Sequence, residues 1–288
     1  MNRRRFLQVS GLLAMARSSA ASSRNIHKAI MYETVKLPGG VLEKFQAVKA
    51  AGFEGIEPMS HMDRAEVSNA LKTSGLKAAS VCCATHWKKP LSDPNPAVRE
   101  DGLQGLQQAL RDAKTYGASS VLLVPGVVNK ETAYNDAYTR SQAEIRKALP
   151  LAEQLSVKIA VENVWNQFLL SPLEAARYID EFNSPSIGWH FDVGNVITYG
   201  WPEQWIHILG KRILKLHIKE YSRAKRDKTG PYSGFNLKYG EGDNDWPAVM
   251  KALDDVGYTG WGIAEQPGGN SEEGLKELSD GMDKIFAS

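Results

Sequence analysis

Val157-Lys158-Ile159-Ala160-Val161-Glu162-Asn163 is a short apolar run that ends in a carboxylate and an amide. The same arrangement recurs in three later runs, Ile187 to Asp192, Ile213 to His217 and Trp261 to Glu265. Each run has the length and apolar character of a buried strand, and each ends in a residue type that ligates divalent cations. Four such coincidences in succession are rare in an unselected sequence. We therefore interpret the four terminal residues as one metal site: Glu162, Asp192, His217 and Glu265.

Strand-like runs alternate with amphipathic helical stretches from residue 27 to the end of the chain, and there are eight of each. The predicted strands are 27–32, 53–59, 76–84, 119–125, 157–163, 186–192, 212–220 and 260–265. The predicted helices are 40–51, 63–74, 96–117, 135–155, 172–182, 201–210, 246–257 and 272–287. This alternation implies parallel pairing, and eight repeats imply closure into a (β/α)8 barrel rather than an open sheet. We therefore predict an α/β protein with a single TIM barrel domain over residues 27–288.

Active sites of such barrels lie at the carboxyl ends of the strands, where all four candidate ligands fall. Three other residues are candidates near the same mouth, and His86 points towards it by register. His86 follows the third strand and could bind substrate or support the site, and Lys219 lies two residues beyond His217 on the same strand face. Glu57 ends the second strand, where it could bind a sugar hydroxyl or make a structural hydrogen bond. His190 has the parity of Asp192 but lies deeper, which favours a core histidine with satisfied hydrogen bonds.

The N-terminus carries the pattern of a twin-arginine export signal. Arg3, Arg4 and Arg5 precede Phe6-Leu7, a modest apolar core and a run of small residues, so residues 1–20 are predicted to be removed on export to the periplasm or beyond. A basic amphipathic helix is the alternative. The apolar core is shorter than the roughly 20 residues that span a bilayer, so no membrane association beyond export is expected.

The charge of the chain bears on nucleic-acid binding, and its cysteine content bears on disulfide bonds. Without residues 1–20, which contain four arginines and no acids, the remaining chain holds 31 basic and 33 acidic residues. No basic stripe is left to neutralise a phosphate backbone, which argues against nucleic acid as a partner. The two cysteines, Cys82 and Cys83, are adjacent in a predicted strand and point to opposite faces, so buried free thiols are expected.

From residue 27 onward the chain resembles the sugar isomerase/epimerase superfamily of xylose-isomerase-like barrels, including the ketose 3-epimerases. That family holds one divalent cation by a glutamate, an aspartate, a histidine and a glutamate after strands five to eight. The stretch Tyr239 to Trp246 also resembles the family's Gly-Glu-Gly-Asp-x-Asp-Trp segment. The four ligand positions are matched here by Glu162 in Val-Glu-Asn, Asp192 in Phe-Asp-Val-Gly-Asn, His217 in Leu-His-Ile-Lys and Glu265 in Ala-Glu-Gln.

The resemblance implies a substrate site as well as a metal site. Arg223, six residues after His217, matches a family arginine that contacts the sugar. Asn195 stands where the epimerases commonly carry a substrate-binding histidine. Because of this departure, the resemblance implies the general chemistry more strongly than the identity of the substrate. The ligand types suit Mn²⁺, Mg²⁺, Co²⁺ or Zn²⁺ without choosing among them.

The expected reaction is proton transfer next to the carbonyl of a ketose or related sugar. The cation stabilises the developing enediolate as a Lewis acid. One of the two glutamates, Glu162 or Glu265, removes the carbon-bound proton and the other returns one. The product is an epimer or an isomer, depending on which carbon is reprotonated.

Three alternatives remain open at this stage. The same metal and base would serve an eliminase acting on 3-keto-glycosides, which suits an exported protein because sugar phosphates are scarce outside the cytoplasm. An apurinic endonuclease would need a trinuclear zinc cluster, whereas the chain has six histidines, half of them poorly placed. A non-catalytic sugar-binding barrel is the third alternative. The expected partner is a small carbohydrate, and a homo-oligomer is compatible with a sequence that does not fix the oligomeric state.

Overall fold

The structure, a computed structural model, describes residues 24–288, so the predicted export signal lies outside the described residues. Within that range the chain forms nine strands and ten α-helices. The strands are β1 (Ile26–Met31), β2 (Gly55–Glu57), β3 (Lys77–Ala78), β4 (Val81–Cys82), β5 (Ser120–Leu123), β6 (Lys158–Glu162), β7 (Ile187–Asp192), β8 (Ile213–Ile218) and β9 (Gly260–Ala264). The helices are α1 (Val41–Ala50), α2 (Arg64–Ser74), α3 (Pro96–Tyr116), α4 (Tyr134–Leu155), α5 (Pro172–Asp180), α6 (Val193–Ile197), α7 (Pro202–Leu209), α8 (Arg223–Thr229), α9 (Trp246–Val256) and α10 (Glu272–Ala287).

The strands form one parallel sheet in the order β3-β2-β1-β9-β8-β7-β6-β5-β4. The two strands at the ends of this order, β3 and β4, belong to one extended segment, residues 77–82. Its first half pairs with β2 and its second half with β5, and a bridge joins Met59 to Cys82. The sheet therefore closes into a barrel with an irregularity at this segment, and the predicted single (β/α)8 barrel is confirmed.

Alternate residues along the strands face the helices or the barrel interior. The main hydrophobic core lies between the sheet and the helices and includes Val161, Phe191 and Leu216. A separate cluster of Ala29, Ala79 and Ile263 fills part of the interior. Since neighbours in a strand point to opposite faces, the residues that follow Val161, Phe191 and Leu216 face the interior. These residues are three of the four candidate ligands: Glu162, Asp192 and His217.

Two helices were not predicted from the sequence. The five-residue α6 starts directly after Asp192, whose side chain caps it, and all its residues are buried, so it has no amphipathic period. The other, α8, has no buried residue and is capped by Ser222, which accepts a hydrogen bond from the Lys225 backbone amide. The third predicted strand, residues 76–84, is also split into β3 and β4. These three differences all lie at the barrel mouth or at its closing segment.

The remaining structural predictions can be compared directly. Cys82 and Cys83 are both free and buried, as expected. No helix within residues 24–288 combines the length and the apolar character that crossing a membrane requires.

Candidate metal centre at the carboxyl ends of the strands

Four strand ends bring the predicted ligands together. Glu162 and Asp192 are the last residues of β6 and β7, His217 lies one residue before the end of β8, and Glu265 follows β9. The Nδ1 atom of His217 lies 2.9 Å from Glu162 Oε1, 3.0 Å from Glu265 Oε2 and 4.0 Å from Asp192 Oδ2. One ligand atom from each residue lies within 4.8 Å of all the others. Parallel strands in register place these side chains side by side, as the sequence pattern predicted.

Burial and charge act against each other in this cluster. Burial raises the pKa of Glu162 to about 7 and that of Asp192 to about 6. Burial would also raise the pKa of Glu265, but Lys219 and His217 outweigh it and hold that pKa below its usual range. Burial would lower the pKa of His217, and the surrounding carboxylates instead raise it well above its usual value. Three carboxylates thus share a desolvated volume with the Lys219 ammonium and the His217 ring, and a divalent cation there would favour the ionised carboxylates and the neutral imidazole that ligation needs.

Two of the carboxylate oxygens fit metal ligation in a further way. Asp192 Oδ2 and Glu265 Oε2 are buried, and neither has a hydrogen-bond partner among the described residues. The Lys219 ammonium lies 3.1 Å from the first and 2.7 Å from the second, so the contact of each oxygen is an ion pair. Buried polar atoms in native proteins nearly always have a partner. The donor set of three carboxylates and one imidazole therefore fits a divalent cation.

Glu57 lies behind the His217 ring rather than in the mouth of the barrel. The Nε2 atom of His217 lies 3.0 Å from Glu57 Oε2, and the Ser80 hydroxyl donates a hydrogen bond to the other Glu57 oxygen. Glu57 is fully buried. Of the two roles considered from the sequence, its contacts are those of a structural hydrogen bond. A carboxylate in this position fixes the imidazole tautomer and leaves Nδ1 free for a metal.

His190 lies in the barrel interior below the ligands, with its ring centroid 4.2 Å from that of His217. It is buried, as predicted, but neither ring nitrogen has a hydrogen-bond partner among the described residues. The expected hydrogen bonds are therefore not made by any of the described residues. Burial, followed by the charges of His217 and Lys215, lowers the pKa of His190 well below its usual value, so the ring is neutral.

A cavity of about 380 Å³ lies above the ligands. Both glutamates, Glu162 and Glu265, line it, whereas Asp192 is buried behind them. His86 forms part of the wall, and its Nδ1 accepts a hydrogen bond of 3.1 Å from the Val124 backbone amide. Burial lowers the pKa of His86 to about 4, so the ring is neutral and presents its Nε2–H as a donor.

Two of the other predicted substrate residues line this cavity, and the third does not. Lys219 and Asn195 line it. The Asn195 side chain donates a hydrogen bond of 2.9 Å to the Asn163 carbonyl, which fixes its position. Arg223 does not line the cavity. Its guanidinium donates to the backbone carbonyls of Ile197 and Gly200 at 2.8 and 2.9 Å, so it holds α8 against the segment after β7.

Asn163 is a residue whose role sequence reasoning missed. Its side-chain oxygen accepts hydrogen bonds from the Asp192 backbone amide and the Trp189 indole, at 2.9 and 3.1 Å. Its amide group donates to the Asp192 carbonyl at 2.8 Å. Asn163 thereby fixes the backbone that carries one ligand next to the strand that carries another. Its position directly after Glu162 was the available signal.

The loop between β8 and α9 covers one side of the mouth. Glu220 is buried at its start and accepts hydrogen bonds from the backbone amides of Gly240 and Asn244 and from the Trp246 indole. A short 3-10 helix, Pro231–Phe235, brings Tyr232 and Phe235 to the cavity wall. Glu220 is thus one anchor of the long loop predicted from the sequence, and Gln266 is another, since its amide donates to the carbonyls of Phe235 and Leu237.

A family model described as xylose isomerase-like TIM barrel matches residues 45–285. The chain belongs to this family. The resemblance stated from the four strand-end motifs is therefore confirmed at the level of the family.

Curated relatives in this family share about a quarter of the sequence. L-ribulose-5-phosphate 3-epimerase of Escherichia coli O1:K1 is 26% identical over 267 residues, which cover 87% of this chain and 91% of the relative. The enzyme of the same name from Escherichia fergusonii is 25% identical with the same coverage. These relatives are sugar epimerases, enzymes of the isomerase class.

Solved structures of low sequence identity share the fold. An L-ribulose 3-epimerase superposes with a TM-score of 0.76 at 18% identity, over 91% of this chain and 94% of the other. A 3-keto-D-glucoside 4-epimerase from Escherichia coli gives 0.75 at 17% identity, over 90% and 98%. The IOLI protein, solved with a bound zinc atom, gives 0.72 at 16% identity, over 91% and 98%.

Proposed function

We propose that this protein is a divalent-metal-dependent sugar epimerase that transfers a proton next to a carbonyl. The observation that carries the proposal is the placement of the two glutamates. Glu162 and Glu265 both line the cavity, and both approach the same nitrogen of His217, to 2.9 and 3.0 Å. Two carboxylates are thus available to one substrate carbon. The sugar 3-epimerases among the relatives support the same reaction class.

The chain's own residues supply the proton transfer. A bound cation would be held by Glu162, Asp192, His217 and Glu265 and would supply Lewis-acid stabilisation of the negative charge that develops on the sugar oxygens. One glutamate removes the proton from the carbon next to the carbonyl, and the other delivers a proton to the opposite face. The aromatic and histidine side chains of the wall exclude water around the reacting carbon.

We further propose that the substrate is unphosphorylated and that the enzyme acts outside the cytoplasm. Lys219 is the one lysine or arginine among the described residues that line the cavity, and its ammonium already contacts Asp192 and Glu265. A phosphate group is usually held by arginine, lysine or a helix N-terminus. The named activities of two similar proteins, on L-ribulose 5-phosphate and on a 3-keto-D-glucoside, mark the range of substrates to test.

The structure gives less support to an apurinic endonuclease, which is an alternative function for the same fold. The carboxylate and histidine groups that the described residues form contain two histidines between them, His190 and His217. A trinuclear zinc cluster needs more imidazole ligands than this arrangement brings together.

Proton exchange in D₂O tests the proposed reaction. The metal-loaded protein should exchange the carbon-bound hydrogen of at least one member of a panel of free ketoses, ketose phosphates and 3-keto-glycosides. Glu162→Gln and Glu265→Gln each keep an oxygen ligand of similar size but remove a proton acceptor. Each variant should therefore lose turnover and retain exchange from one of the two epimers, because the remaining carboxylate reaches one face.

A matched control is Glu54→Gln, which makes the same change at an exposed residue that pairs with His27. This variant should exchange like the wild type. Full activity in both site variants would contradict the proposal. Exchange accompanied by release of the aglycone from a 3-keto-glycoside would instead assign the protein to the eliminases.

A further inference from the structure

A second cavity of about 300 Å³ adjoins the metal cavity. The two share Val164, Trp165 and Tyr232, so the Trp165 indole forms the partition between them. Leu170 and Tyr199 line this second cavity, which we call the outer groove. The outer groove therefore lies beside the position of a sugar held at the candidate metal centre.

The walls of the outer groove are mostly apolar, although Gln167 and Thr198 also line it, and three of the apolar side chains are exposed. Tyr232, Leu170 and Tyr199 are 74%, 51% and 45% exposed. These are three of the six large apolar side chains that are exposed among the described residues. Single exposed apolar residues need no explanation, but a cluster beside an active-site cavity indicates a surface that is covered when a ligand binds.

Trp165 is held rigidly at the boundary. Its indole N–H donates a hydrogen bond of 2.9 Å to the Asn195 carbonyl. Its ring contacts Tyr221 nearly edge-on and Phe235 at a tilt, with centroids 5.5 and 4.9 Å apart. The Tyr232 ring lies 5.3 Å from it on the side of the 3-10 helix. Because these contacts fix the ring before any ligand arrives, an apolar ring binds against it with little loss of side-chain freedom.

Charged groups of the neighbouring loop are occupied elsewhere. Arg223 donates to the carbonyls of Ile197 and Gly200, and Arg226 donates to the carbonyl of Thr198 at 2.7 Å. No lysine or arginine is among the described residues that line the outer groove. The groove therefore suits a neutral ligand and offers little to a phosphate.

We propose that the outer groove binds an apolar aromatic substituent carried by the sugar, so that the natural substrate is a carbohydrate conjugate with a flat aglycone. This inference rests on the proposed function, since it requires the reacting sugar to sit at the metal centre. It assigns Leu170 and Tyr199 to substrate specificity and Trp165 to the platform that both parts of the substrate contact.

The test compares two substrates that differ in one group, methyl 3-keto-glucoside and phenyl 3-keto-glucoside. With metal-loaded full-length protein, kcat/KM for proton exchange should favour the phenyl compound by at least about tenfold, because the ring buries several more carbons. Leu170→Asp should reduce this phenyl-to-methyl ratio to near one. Leu173→Asp is the matched control, since Leu173 is 71% exposed on α5 but does not line the groove, and it should keep the wild-type ratio.

The outcomes separate the two proposals. Equal rates for the phenyl and methyl compounds, or exchange from free ketoses with none from either glycoside, would overturn the outer-groove proposal and leave the proposed function standing. Absence of exchange from every sugar would overturn the proposed function. In that case the groove is tested by binding alone, through quenching of tryptophan fluorescence by the two glucosides. Equal affinity for both compounds, or tighter binding of a disaccharide, would then overturn the groove proposal.

Discussion

The His217 imidazole contacts carboxylates through both of its nitrogens. Nδ1 faces Glu162 and Glu265 at the mouth, and Nε2 faces Glu57 from below. A ring held in this way cannot rotate without breaking contacts on both sides. The negative charge of Glu57 also makes the ring a stronger ligand, because it favours positive charge on the imidazole.

Replacement of Glu57 by glutamine should weaken metal binding without removing a ligand. The amide oxygen can still accept the Nε2–H hydrogen bond, so the geometry is kept while the charge is lost. We expect the affinity for Mn²⁺ or Zn²⁺ to fall by about 10 to 100-fold. Calorimetric titration of metal-stripped Glu57→Gln, checked for folding by thermal melting, measures the change. Glu54→Gln on the same segment is the control, and equal affinity in wild type and Glu57→Gln would refute a supporting role.

The grouping of the candidate ligands was predictable from the sequence, but the contacts that hold them in place were not. Glu162, Asp192, His217 and Glu265 were found because each ends an apolar run, and parallel strands bring such ends to one edge. The contact between Glu57 and His217 joins β2 to β8. These two strands are far apart in sequence and are not neighbours in the sheet. It depends on the diameter of the closed barrel, about which a local pattern carries no information.

At the scale of elements, strands and long helices were predicted closely and short elements were missed. The predicted helix 96–117 and the observed α3, Pro96–Tyr116, nearly coincide because an apolar stripe, an N-cap and Gly117 all mark its bounds. Helix α8 has no apolar stripe, so only its contacts hold it in place. The segment 77–82 reads as one strand but changes its partner from β2 to β5 midway.

The loop that carries α8 depends on Glu220. Glu220→Ala would leave the amides of Gly240 and Asn244 and the Trp246 indole without their acceptor. We expect a loss of roughly 2 to 4 kcal/mol in unfolding free energy, together with faster proteolytic cleavage in the loop. Thermal unfolding and limited proteolysis measure the two effects.

Glu241→Ala is the control for this prediction. Glu241 lies in the same loop but is exposed, and its main contact is with the Lys238 backbone amide. Its replacement should change stability by less than about 0.5 kcal/mol. If the two variants behaved alike, Glu220 would not be an anchor of the loop.

At the scale of the whole molecule, the two ends of the described chain meet. β1 pairs with β9, the last strand. Arg24 forms a salt bridge of 2.9 Å with Asp254 and donates hydrogen bonds to the carbonyls of Phe286 and Ser288 at 2.6 and 2.7 Å. The barrel therefore includes residues that begin only a few positions after the predicted cleavage site.

The proposed export by the twin-arginine pathway predicts where the mature chain begins. Cleavage after about residue 20 would leave Arg24 and its contacts in place. We expect Arg3→Lys combined with Arg4→Lys to trap the precursor inside the cell, because the pathway reads the arginine pair. Arg17→Lys, which makes the same change outside the pair, should be exported normally. Cell fractionation measures the compartment of each variant, and mass spectrometry identifies the first residue of the mature chain. An uncleaved wild-type protein in the cytoplasm would contradict export.

Asp192 divides its two carboxylate oxygens between a helix and the candidate metal centre. Oδ1 accepts a hydrogen bond of 2.7 Å from the Asn195 backbone amide at the start of α6, while Oδ2 faces the other ligands. A cation bound to Oδ2 withdraws electron density from Oδ1, which weakens the hydrogen bond that Oδ1 accepts from the Asn195 amide. The chemical shift and the hydrogen-exchange rate of one backbone position, Asn195, therefore become a spectroscopic gauge of ligation that needs no substrate.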